Sequence, residues 1–231
     1  MNGIYSLLIF LCLVTIIILM INIAVVNQKD DPFMKWVCIF LFAFSMMRYL
    51  TLIVYGDSPS LSQLEVLRYF YLATSIGLTI PFASALWYIT PHLREKINYL
   101  KYLSFFVPWI FFYLFVIVTQ PTQIVRGKNF GYVLELVGSF PRYLSIVQGS
   151  FVFIMFIICL TGLLYYKNSQ LRSQYLVLIF SLIVLTLDGL SYFIPINSFL
   201  PPFTVSEMFG FLAILYAFSL KPLKLNKRQS S

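Results

Sequence analysis

Residues 64–91 read LEVLRYFYLATSIGLTIPFASALWYITP. The run is long enough to cross a bilayer, which takes roughly 20 apolar residues. Its composition does not suit a helix that faces lipid. Glu65 and Arg68 stand three residues apart at its start, on one helical face. Ala73, Ser75, Gly77, Thr79, Ala83, Ser84 and Ala85 are small enough to let neighbouring backbones come close. Pro81 removes a rung of the hydrogen-bond ladder, which predicts a kink there, either static or a hinge. This stretch is expected to be the central helix of a membrane bundle.

The rest of the chain agrees with that setting. It is 60% hydrophobic and 10% charged, with a mean hydropathy of +0.88, far outside the range of soluble domains. The pattern predicts an all-α, seven-span bundle over residues 1–222, with spans at about 4–26, 33–55, 64–90, 102–118, 143–166, 175–193 and 203–220. Pro108 lies inside the fourth span and is a second expected kink. No basic residue precedes the first span and no small-residue cleavage site follows it, so it is expected to remain in the mature protein. The connection at 119–142 carries an amphipathic patch, Tyr132 to Leu134 with Leu136 and Val137, expected to lie at the membrane interface. Residues 223–231 form a short basic tail, and Lys221, Lys224, Lys227 and Arg228 are its cations and those of the residues just before it.

Basic residues select the orientation. Lys29, Lys35, Arg94, Lys96, Lys101, Lys167, Arg172 and the tail cations fall on one side, and only Arg126, Lys128 and Arg142 fall on the other. The positive-inside bias predicts an outside N-terminus and a cytoplasmic C-terminus. The basic excess therefore follows membrane topology and implies no nucleic-acid partner.

In that orientation Arg48, Glu65, Arg68, Asp188 and Glu207 all belong to the outer part of the bundle. A charge facing lipid at mid-depth costs roughly 2.5–3.5 kcal/mol or more, so these side chains should turn inward. Two outcomes are open. They line a wet ligand pocket on the outer side, or Arg48 or Arg68 pairs with Asp188 and only sets helix register. Asp188 with Arg48 and Arg68 is the sharper set; Glu65 and Glu207 are expected to be interfacial. The aromatic residues, 24 Phe, 16 Tyr and 3 Trp, are read as interfacial belts and packing ahead of a ligand cage.

Catalytic chemistry finds no support. His92 is the only histidine and sits in a loop at the basic side, and no GxSxG, P-loop or HExxH pattern occurs. Cys12, Cys38 and Cys159 fall inside spans, without metal-ligand spacing. An enzyme, a metal centre and a cofactor are not expected.

Three segments carry a resemblance. RYFYLATSIGLTIPFASALWYITP, FFVPWIFFYLFVIVTQP and LDGLSYFIPINSFLPPFTVSEMFGFLAILYAFSLKPLKL look like the third, fourth and last two helices of the N-terminal seven-helix sensor domain of bacterial histidine kinases and diguanylate cyclases. In the first, Arg68, Tyr69–Tyr71, Pro81 and Tyr88 carry the likeness; in the second, Pro108 and Pro121 do. Asp188 departs from the uncharged polar residue expected at its position. The resemblance implies a multi-pass sensor in the bacterial plasma membrane, detecting an extracytoplasmic or membrane-borne signal, a small molecule or peptide. Where that family continues into a PAS, kinase or cyclase module, this sequence stops at Ser231, so the expectation is either an excised sensor or a stand-alone seven-helix protein that acts through a cytoplasmic or membrane protein partner. The rival readings are an accessory or immunity-type subunit of a membrane complex and a small solute carrier.

Overall fold

A computed structural model describes residues 3–190, 200–201 and 203–222. Ten α-helices and one β-hairpin are present among them, so the chain is predominantly helical. Five helical segments are long and apolar enough to cross a membrane: Gly3–Asn27, Pro32–Gly56, Leu61–Ile89, Phe140–Tyr165 and Ser169–Gly189. Val107–Thr119 and Thr204–Ser219 are shorter apolar helices.

Helices α1 (Gly3–Asn27) and α2 (Pro32–Gly56) pack as an antiparallel pair. The turn between them is set by Asp31, whose carboxylate accepts from the Met34 amide at 2.8 Å, and by Pro32 in the first helical turn. The third segment has three parts: α3 (Leu61–Leu67), a 3₁₀ turn (Arg68–Phe70) and α4 (Ala73–Ile89). Short helices α5 (Pro91–Lys96) and α6 (Tyr99–Ser104) lead to α7 (Val107–Thr119). The hairpin of β1 (Thr122–Arg126) and β2 (Tyr132–Leu136) follows, then α8 (Phe140–Tyr165), α9 (Ser169–Leu190) and α10 (Thr204–Ser219).

Helix α4 is the centre. In the third segment 89% of the most apolar window is buried, against 33% for α1 and 22% for α8. Its small residues explain how. A Cβ on Gly77 would lie 1.9 Å from Ser45 Oγ and 3.0 Å from the Leu41 carbonyl, so α2 and α4 meet at a distance that only glycine permits. Large apolar side chains point out from the other helices: Phe10, Trp36, Phe111 and Leu164 are 61%, 68%, 70% and 78% exposed. Such a surface is stable against hydrocarbon and not against water.

Several boundaries differ from what the sequence predicts. The third segment breaks at Phe70–Leu72, whereas α4 runs through Pro81 without interruption. Pro108 occupies the first turn of α7, where a missing N–H is harmless, so the bend of the fourth segment lies before it at Phe105–Phe106. The sixth helix begins at Ser169 because Asn168 Oδ1 accepts from the Leu171 amide at 3.1 Å, which places Arg172 and Gln174 in the helix and not in a loop. Most of the connection at 119–142 forms a β-hairpin. Its Val-, Ile- and Tyr-rich halves pair as an antiparallel hairpin, Thr122 opposite Leu136 and Arg126 opposite Tyr132. The fold is consistent with the expected all-α class, with this hairpin as the β element among the described residues. Gly131, at a φ of +54°, has its Cα so near α2 that a Cβ would sit 2.0 Å from the Tyr55 carbonyl. Tyr5 of α1 packs on Phe130 at 5.5 Å between ring centres, which completes the seat of the hairpin.

The other end of the bundle gathers the basic loops. Lys29 sits over the Tyr88 ring at 5.0 Å, and Arg94 donates to the Tyr88 carbonyl at 2.8 Å. Burial there holds the Lys29 ammonium below the usual lysine range, with Asp30 pulling it back up. Lys221 is exposed at this end, its carbonyl accepting from Gln170 at 3.3 Å. Lys224, Lys227 and Arg228 lie outside the described residues, as does the end of the expected sixth span.

Gly77→Val should force α2 away from α4 and lower the thermal midpoint of the detergent-solubilised protein, at about 1–3 kcal/mol of overpacking. Gly149→Val, at a helical glycine where an added Cβ meets nothing within 4 Å, should leave the midpoint within the error of the wild type.

Candidate functional site

The site begins where the third segment loses its α-helical register. In an unbroken helix the Tyr71 carbonyl would accept from Ser75, but the Ser75 amide bonds to Leu72 O at 3.0 Å. Arg48 of α2 takes up the freed carbonyl through Nη1, and its guanidinium lies 5.2 Å from the centre of the Tyr71 ring. The break thus creates an acceptor for a buried cation.

Arg48 is 3% exposed and pairs with Glu207, 6% exposed, through Nε to Oε2 at 3.0 Å. Three donors from two helices converge on that carboxylate. Arg48 Nε and the Tyr49 hydroxyl, both from α2, donate to Oε2 at 3.0 Å each, and the Thr74 hydroxyl of α4 donates to Oε1 at 2.6 Å. Glu207 also belongs to the first turn of α10, where the helix dipole favours an anion. A buried pair of this kind persists only because its remaining hydrogen-bonding capacity is met.

The pairing of Arg48 or Arg68 with Asp188 that the sequence suggests is replaced by other contacts. Asp188 Oδ2 accepts from the Ser206 hydroxyl at 2.5 Å, a link between α9 and α10 one residue from Glu207. Arg68 reaches to the end of α7 instead. Its Nε donates to Gln120 Oε1 at 3.2 Å and its Nη2 to the Gln120 and Thr122 carbonyls at 3.2 and 3.4 Å. Gln120 ends α7 in a left-handed conformation, φ 49°, and its own Nε2 caps the Ile117 carbonyl at 2.7 Å. Arg68 therefore ties the hairpin's first strand to the third segment. Glu65 is exposed on α3. Glu207, expected to be interfacial, is instead buried and paired, the anion at the centre of the site. Its place in the sequence held one signal of this, an acidic residue in the first turn of a helix. Tyr49, Thr74 and Gln120 carried none.

Two cavities adjoin the charge pair. One, of about 470 Å³, lies beneath the hairpin and is bounded by Arg48, Tyr71, Arg126, Lys128, Glu135 and Glu207 among others. The second, of about 520 Å³, lies among α4, α7, α8, α9 and α10 and is lined mainly by apolar side chains such as Leu78, Phe82, Val152, Phe156 and Leu182. Helix α8 packs along α9 and only sparsely against α4, which leaves this space between them. Pockets of this size accommodate small organic ligands.

Removing one charge strands the other. Arg48→Leu and Glu207→Leu should each destabilise the protein by about 3–5 kcal/mol, whereas the double substitution should recover much of the loss because no bare charge remains. Thermal unfolding of all four proteins in one detergent measures the coupling.

Comparison with protein-family models gave no match for this chain, and comparison with curated protein sequences gave none either.

Proposed function

We propose that the chain is a seven-span membrane receptor, with its N-terminus outside and its C-terminus in the cytoplasm, that binds a ligand at its hairpin end and relays the event to a protein partner. The observation that carries this reading is the cavity of about 470 Å³ set directly against the Arg48–Glu207 pair. A pair that only fixed helix register would need no space beside it. An occupant that competes for Arg48 or Glu207 acts at once on α2, the third segment and α10. These are the elements through which movement would reach the basic end, and a ligand biases them only by the difference in its affinity for the two arrangements.

Seven crossings follow if α6 with α7, and α10 with its flanking residues, complete two further spans beside the five long ones. The basic residues Lys29, Arg94, Lys96, Lys167 and Arg172 then mark the cytoplasmic side, and the hairpin and its cavity face outward. The sequence resemblance to sensor domains of bacterial histidine kinases and diguanylate cyclases favours the same reading and a bacterial plasma membrane.

Two experiments test this. A periplasm-active reporter should be active when inserted at Ser58 and silent when fused after Ser231; the reverse pattern overturns the orientation. A mild-detergent pull-down of the tagged protein from its native membrane should recover a cytoplasmic kinase, cyclase or regulator. Constitutive recovery of a transporter or secretion complex in its place would reassign the chain as an accessory subunit.

A further inference from the structure

The two cavities share a wall. Thr74, Ser75, Gln148, Phe203 and Glu207 line both, so the spaces lie side by side at the level of the buried pair. Their chemistries differ sharply. In the hairpin chamber Arg48 is matched by Glu207, and Arg126 and Lys128 outweigh Glu135. That end favours an anion. The inner chamber is walled by leucine, valine and phenylalanine, and it suits a hydrocarbon chain.

Resting on the receptor reading above, we propose that the two adjacent chambers open into each other and together bind a single-chain anionic amphiphile of the lysophosphatidate type. Its phosphate lies with Arg126 and Lys128, and its acyl chain fills the space among α4, α8 and α9. Lipid held by the apolar surface alone would be indifferent to headgroup charge, and a site for free phosphate would not need the inner chamber.

The test uses full-length protein in nanodiscs of zwitterionic lipid, with oleoyl lysophosphatidate, oleoyl lysophosphatidylcholine and inorganic phosphate as probes. Lysophosphatidate should bind saturably, and Arg126→Ala/Lys128→Ala, at two exposed positions, should weaken it about tenfold or more. Gly149→Phe, which projects into the inner chamber from a backbone with no atom near its Cβ, should block the chain. Equal binding of lysophosphatidylcholine, equal binding of inorganic phosphate, or indifference to the Arg126/Lys128 pair overturns the inference. Recovery of a signalling partner without amphiphile binding leaves the receptor reading standing and this ligand class rejected. Amphiphile binding without such a partner rejects the relay and keeps the site.

Discussion

Arg48 and Glu207 are opposite charges carried into the interior of an apolar bundle, and the surrounding geometry follows from the need to satisfy them. An ion pair removed from water loses several kcal/mol of solvation per ion, and attraction offsets this only when the remaining lone pairs and protons also find partners. The partners here come from three places. Helix α2 supplies Tyr49, α4 supplies Thr74, and the interrupted turn before α4 supplies the Tyr71 carbonyl. The break in the third segment, which would be a defect in an isolated helix, is the source of that carbonyl. The close approach of α2 to α4 at Gly77 brings two of the three within reach.

The polar contacts near the pair extend the same logic outward. Ser206 joins α10 to Asp188 on α9, and Arg68 joins the third segment to Gln120 and the start of the hairpin. Each contact links separate elements of the fold, so the hairpin end of the bundle is held by specific polar bonds. The opposite end is held by aromatic and tyrosine hydroxyl contacts, among them Thr90 with Tyr175 at 2.8 Å and Ser84 with Tyr99 at 2.7 Å. Helix α8 takes part least, packing on α9 and leaving the apolar chamber open towards α4.

Local pattern explains which features could be read in advance. The apolar runs of α1, α2 and α8 are long and uniform, and their ends lie close to the expected ones. The centrality of residues 64–91 was legible because small residues and a proline in an apolar run have little use against lipid. The hairpin was legible in principle: TQIVR and YVLEL are strand-like runs flanking a turn with glycines at 127 and 131. An amphipathic reading of the same residues competed with it, and the β-branched and aromatic content decides in favour of strands. A proline marks only where a ladder bond is missing: α4 continues as helix through Pro81, and Pro108 stands in the first turn of α7. Whether the helix bends, starts or continues there depends on what packs around it.

The sequence by itself determined the class of molecule: a helical, largely apolar chain with long helices suited to a membrane, and a handful of charges that hydrocarbon would reject. That follows from composition and period, which act residue by residue. The choice of partners was decided only by tertiary structure. Arg48 meets Glu207 and not Asp188 because the N-terminal turn of α10 comes to rest against α2 and α4, 159 residues along the chain. Charge sign was visible at every one of these positions. Distance was not, and in a low-dielectric interior distance and the count of hydrogen bonds decide which pair forms.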